Sequence, residues 1–174
     1  MARLLPLLIV SVMIAAPAAQ EPTLEYRVKA AYLLNFARFV EWPAETTPST
    51  GPLTICIADV NPFGPALSNM IVGETAGGRP LATRVVRGDI ASCHIVFIPR
   101  QVATGAYIRA RDTDPILTVG ETPAFIQQGG IVNFVREDGR VRFEINPDAA
   151  TARGLRISAR LLQLARVITR RGPL

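Results

Sequence analysis

The chain has a single histidine, His94, and only two cysteines, Cys56 and Cys93. A zinc centre or a histidine-activated nucleophile needs clusters of such side chains, so one lone imidazole gives neither any support. His94 stands next to Cys93, but consecutive residues of a strand point to opposite faces, which separates imidazole from thiol. No G-x-G-x-x-G follows a strand. The first apolar run passes into Asp59-Val60-Asn61-Pro62-Phe63-Gly64, and one glycine beside a proline makes no phosphate cradle. A receiver-type phosphoacceptor aspartate at the end of the second run is missing as well, since Pro99-Arg100 occupies that place. The residues therefore read as a non-enzyme, with no catalytic group, no metal set and no cofactor.

Long apolar runs are scarce too. The one near the N-terminus, Leu4 to Ala15, contains Pro6 and stops at Pro17. It is shorter than the ~20 residues that span a bilayer. With Met1-Ala2-Arg3 ahead of it and Ala16-Pro17-Ala18 behind, it reads as a secretory signal peptide over residues 1–18. The absence of a cysteine at the cleavage point argues against a lipoprotein. Residues 19–174 are then one exported domain, large enough for a real core. Export into an oxidising compartment follows, and no later run is long and apolar enough to cross a membrane. Lysine is almost absent: the sole one is Lys29, and every other base is arginine. Without Arg3, 18 bases face 14 acids, a balance that suits solubility and an acidic partner surface more than nucleic acid. No internal repeat or low-complexity segment appears.

Apolar periodicity supplies the elements. Residues 21–40 have helical spacing, with Leu24, Val28, Ala31, Tyr32, Asn35, Phe36 and Phe39 on one stripe and Lys29 off it. Trp42-Pro43 ends that helix. Its aromatic residues read as core rather than as a ligand box. Leu53-Thr54-Ile55-Cys56-Ile57-Ala58-Asp59 and Cys93-His94-Ile95-Val96-Phe97-Ile98 are near-continuous apolar runs, which predicts neighbouring strands buried on both faces. Between them lie a helix over 62–72, opened at Asn61, and a strand near an edge over 81–86. A helix over 101–111, a strand over 116–119 and a helix over 122–128 follow. Residues 132–136 and 140–145 alternate about Asp138-Gly139, a strong hairpin signal. From Asn146-Pro147-Asp148 the spacing predicts one long helix to about Thr169, with six arginines on its outer face. The expected architecture is a single-domain α/β open sheet, mainly parallel and flavodoxin- or receiver-like in plan. A C-terminal antiparallel hairpin, an N-terminal helix and a long C-terminal helix complete it.

Two sites stand out. An even cysteine count in an oxidising compartment favours a Cys56–Cys93 disulfide across the two central strands. Either a structural bond or a redox-sensitive one fits. Asp59, at a strand's carboxyl end, is the best-placed acid for a ligand crevice near Pro99, although aspartates at such turns usually bond backbone or cap a helix.

Several stretches coincide with a known family. Tyr26 to Pro43 (YRVKAAYLLNFARFVEWP) resembles its N-terminal hallmark. Leu53-Thr-Ile-Cys-Ile with Asn61-Pro-Phe-Gly64, and Cys93 to Ile98, resemble its central strands. Gly129 to Phe134, Val141 to Asn146 and Gly154 to Ala165 resemble its closing hairpin and helix. The chain is similar in this way to the YfiR-like periplasmic proteins over nearly all of its predicted mature length. The resemblance implies an α/β fold without enzymatic activity and a repressor that binds the sensing region of a membrane-bound diguanylate cyclase. Release under redox change or envelope stress would then raise cyclic-di-GMP and biofilm formation. It also implies a disulfide that falls on Cys56 and Cys93. The second cysteine pair of the redox-switched relatives is missing here. It suggests Phe143, Leu155 and Ile157 as exposed apolar docking candidates. A periplasmic small-ligand-binding domain using the Asp59 crevice is the alternative, and a homodimer is left open.

Overall fold

The strand Leu53–Ala58 (β2) is apolar at nearly every position because both of its faces are covered. Ile55 and Ile57 face one core, and Cys56 and Ala58 the other. The computed structural model describes residues 23–44, 51–109, 113–169 and 172–173. The expected signal peptide lies outside them.

In chain order the elements are α1 (Leu24–Phe39), β1 (Val40–Glu41), β2, α2 (Ala66–Ile71), β3 (Thr75–Ala76), β4 (Arg79–Val86), β5 (Ile95–Phe97) and α3 (Thr104–Arg109). Then come β6 (Leu117–Gly120), β7 (Val132–Glu137), β8 (Arg140–Ile145), α4 (Pro147–Ala152), β9 (Arg156–Ile157), α5 (Ala159–Leu164), β10 (Arg166–Thr169) and β11 (Gly172–Pro173). The main sheet has the order β11-β10-β8-β7-β6-β5-β2-β4-β3, and β1 pairs with β9 in a small separate sheet. Its centre, from β4 through β2, β5 and β6 to β7, is parallel. The β7–β8 hairpin is antiparallel and turns at Asp138 (φ 49°) and Gly139 (φ 74°), the left-handed pair that matches strand twist. The chain is thus a single-domain α/β fold with a mostly parallel sheet, as the apolar patterning predicts.

The two ends of the chain differ from expectation. On α1 the buried residues are Lys29, Ala30, Leu33, Leu34, Phe36 and Ala37, whereas Leu24 is 75% exposed. The helix is rolled from its predicted stripe because small Ala30 and Ala37 let it lie close on the sheet. Tyr32 and Phe39 then pack at its flanks. The predicted long C-terminal helix is instead two short helices and two strands. Asn146 does cap α4, accepting from the Ala149 N–H at 3.0 Å, and Pro147 sits in its first turn. Gly154 then adopts φ 71°, with Leu155 N–H bonded to Ala150 O and Gly154 N–H to Thr151 O. That paired closure ends a helix whatever its downstream pattern. The chain continues as β9, is capped again by Ser158, and leaves α5 for β10, whose Val167-Ile168-Thr169 run is β-branched.

The 122–128 segment is a run of turns and not a helix. Asn61 makes a local turn with Phe63 N–H (2.9 Å) and Gly64 O (3.0 Å), so α2 starts only at Ala66.

Candidate functional site

Ligands of open α/β sheets sit beyond the carboxyl ends of the strands, where the strand order reverses. Here the reversal falls between β2 and β5, since the chain leaves β2 for β4 on one side and returns to β5 on the other. Rings of the protein itself pack at that point. Phe63, fully buried just after β2, meets the Phe97 ring edge-on at 4.9 Å and the Tyr26 ring of α1 at 5.5 Å. Asp59 is also committed internally. Its backbone has φ 54°, its N–H donates to Val86 O at 2.8 Å, and its carboxylate accepts from the Tyr107 hydroxyl. Burial, helped by Asp59, pushes that phenol up, while the Gly88 N–H it accepts at 3.1 Å pulls the other way. Asp59 therefore fastens a turn, as aspartates in such places commonly do.

An open cleft lies one strand further along, beyond β5 and β6, with a volume of about 510 Å³. Glu25 and Lys29 of α1 reach it from one side. Arg100 enters from the loop after β5, Glu121 and Thr122 follow β6, and Asn133 to Arg136 of β7 run past the end of β6. Lys29 is 2% exposed and carries its charge against two carboxylates, Glu25 and the equally buried Glu121. Its ammonium also lies 4.7 Å from the centre of the Tyr26 ring, a cation–π contact. Glu121 accepts from the Tyr26 hydroxyl at 3.0 Å and from the Arg100 N–H at 2.9 Å. A buried charge is tolerable only when it is paired and fully hydrogen-bonded, and this network meets that condition.

The electrostatics follow from the packing. Burial would raise the Glu25 carboxyl, but Lys29, Arg100 and Arg136 outweigh it and hold it below the usual carboxylate range. Burial, then the charge and hydrogen bond of Glu121, push the Tyr26 phenol up to about 12. The cleft brings three cations to two carboxylates and keeps a net positive charge. Two polar atoms at its lining, Asn133 Oδ1 and Thr122 Oγ1, are buried without a hydrogen-bond partner. Such atoms each cost about 1–3 kcal/mol in a closed interior. A broader groove between α4 and β10, about 1170 Å³, holds the Arg166–Glu144 ion pair.

None of the residues of this cleft stood out in the apolar patterning. Two signals were present: Lys29 is the only lysine of an arginine-rich chain, and it follows Glu25 by four positions on a helix. Glu121 and Asn133 carried no sequence signal, because only the sheet brings them to α1.

The cysteines are joined. Cys56 and Cys93 form a disulfide with Cα atoms 5.8 Å apart and exposures of 0% and 5%, inside the core on the face away from α1. The two strands are adjacent, but Cys56 pairs in register with Val96, so the bridge runs diagonally to a residue just ahead of β5. His94 follows it, and its Nδ1 accepts from the Thr54 N–H at 3.1 Å. Burial, with the nearby Arg79 charge, lowers its pKa to about 4. The docking candidates are not exposed as expected. Phe143 and Leu155 are each 2% exposed and belong to the α1-side core, and Ile157 is half-buried in β9, opposite Val40. Phe143 is drawn inward by Tyr32 and Phe36, with ring centres 5.1 and 5.2 Å away.

Among the described residues no helix is long and apolar enough to cross a membrane. A comparison with curated proteins finds no match. Residues 26–166, from Tyr26 of α1 to the arginine that opens β10, match the profile of one family. The chain belongs to the YfiR/HmsC-like family.

Proposed function

We infer that the chain is an exported regulatory protein without catalytic activity, and that it holds an inner-membrane signalling protein, a diguanylate cyclase, inactive from the periplasmic side. Residues 1–18 serve as its signal peptide and 19–174 as the working domain. The observation that carries this reading is the family match over residues 26–166. A buried disulfide suits export into an oxidising compartment. Since that bond is enclosed by core residues, its main role in this chain is structural, and a redox response requires local opening first. Of the three docking candidates, Ile157 is the one with surface to offer, and exposed Leu164 of α5 and Arg156 of β9 lie on the same stretch of chain. Phe143 and Leu155 belong to the core and offer a partner no surface.

Capture of tagged mature protein from native membranes, with and without reductant, tests the reading. Recovery of one membrane cyclase in the oxidised state, weakened by Ile157→Asp, is the expected outcome. Failure to recover a cyclase in either state would refute it. A small-ligand-binding role is the second reading, favoured by the charged cleft beside Glu121 instead of the Asp59 turn.

A further inference from the structure

We propose that Arg84 makes Cys93 the reactive thiol of the cysteine pair, and that the Cys56–Cys93 bond forms and exchanges through Cys93 with an external disulfide or dithiol. Arg84 of β4 stands in register with Cys56 of β2, and side chains in register share a face of the sheet. From there its guanidinium reaches past Cys56 to the other sulfur, which belongs to the segment leading into β5. Its Nη2 lies 3.8 Å from Cys93 Sγ and also donates to Ser92 Oγ. Among the described residues Arg84 pairs with no carboxylate, so no acid offsets its charge at the sulfur.

The two cysteines differ in their surroundings. Cys56 is fully buried in a strand that has β4 on one side and β5 on the other. Cys93 lies in the turn that precedes β5, where its N–H donates to Ile90 O at 3.0 Å and its neighbours Ala91 and Ser92 are exposed. A turn of that kind opens locally at lower cost than a central strand. Once the bond is reduced, burial keeps the Cys56 thiol protonated, whereas a guanidinium against Cys93 Sγ favours its thiolate. The other titratable groups nearby are engaged elsewhere. Asp89 accepts from Ala91 N–H at 2.9 Å, His94 Nδ1 accepts from Thr54 N–H, and the Tyr107 hydroxyl bonds Asp59 and Gly88. In bond formation the Cys93 thiolate attacks one sulfur of the external disulfide, and the other sulfur leaves as a thiolate. Cys56, giving its proton to water, then attacks Cys93 Sγ and expels the second external thiolate. The electron pair passes from the cysteines to the external disulfide, which becomes two thiols. In reverse, a dithiol attacks Cys93 Sγ, Cys56 leaves and takes up a proton, and the Cys93 thiolate is released last, beside Arg84.

The inference needs only the disulfide and does not rest on the cyclase reading. The mature chain is reduced without denaturant, freed of reductant and alkylated with iodoacetamide over a range of pH, each cysteine being followed by peptide mass mapping. Cys93 should react at least about tenfold faster than Cys56 at neutral pH. Arg84→Gln should raise the apparent pKa of Cys93 and slow its alkylation by about threefold or more, since lost thiolate outweighs gained nucleophilicity. Arg84→Lys, which keeps the charge, should preserve most of the rate. Oxidised glutathione, the probe of the exchange step, should leave its mixed disulfide on Cys93 in the Cys56→Ser variant. Faster labelling of Cys56, equal labelling of the two, an unchanged Cys93 profile in Arg84→Gln, or no glutathione adduct at Cys93 would each overturn the proposal.

Discussion

Lys29 and Glu121 stand 92 residues apart in sequence and form an ion pair with both side chains out of reach of water. That pair ties the first helix to the end of β6 and creates the wall of the cleft. It also places α1 beside the carboxyl end of β6.

Removing one partner leaves the other charged and buried. Lys29→Met should lower unfolding free energy by about 3–5 kcal/mol, because Glu121 keeps its burial and loses its ammonium. Lys29→Met combined with Glu121→Gln should recover part of that loss. Urea unfolding of Lys29→Met, Glu121→Gln, the double variant and the wild type measures it, and strict additivity of the two changes would contradict coupling.

Phe125 lies with its ring against both Gly120 and Gly130. A Cβ built on Gly120 would come within 2.2 Å of the ring, and one on Gly130 within 2.1 Å. Since Phe125 is fully buried, it has nowhere to move. Gly120→Ala and Gly130→Ala should each destabilise by about 1–3 kcal/mol or more, read as a lowered thermal midpoint. Phe125→Leu in the Gly120→Ala background should return part of it.

His94 gives a pH signature. Its folded pKa of about 4 lies below its ordinary 6.5, so the unfolded chain binds a proton that the folded chain refuses in between. Stability contributed by the neutral ring is therefore complete above pH 6.5 and is lost as pH falls toward 4. The ring is only half-buried, and solvent screening limits the effect to roughly 2 kcal/mol. His94→Asn, which keeps an acceptor for the Thr54 N–H without titrating, should flatten the slope of thermal midpoint against pH across that window.

The Cys56–Cys93 bridge closes a separation of 37 residues. Replacing both cysteines by alanine should cost about 4 kcal/mol on the chain-entropy estimate. Because both sulfurs are buried, dithiothreitol should reduce the native protein slowly and the urea-loosened protein much faster, as followed by thiol labelling. Rapid native reduction would point to an exposed, switch-like bond.

The long C-terminal helix expected over 146–169 shows where pattern reading loses its hold. Its apolar spacing is compatible with a helix, yet Gly154 has an inexpensive left-handed state and the downstream β-branched residues have a strand, β8, to pair with. A local pattern cannot weigh a partner that lies elsewhere in the chain. The same holds for the predicted 122–128 helix, where Phe125 is held between two glycines in a set of turns.

The residues alone determined the α/β class, the parallel core strands around β2 and β5, the hairpin at Asp138-Gly139 and the pairing of the only two cysteines. Each of these rests on short-range periodicity, a turn with a required backbone sign, or an even count. Tertiary structure decided the rest: which face of α1 is buried, that Phe143 and Leu155 are core, and that Glu25, Lys29, Arg100, Glu121, Asn133 and Arg136 meet at one cleft. Those outcomes depend on desolvation and charge pairing between segments far apart in sequence, energies that exist only once the sheet has brought them together.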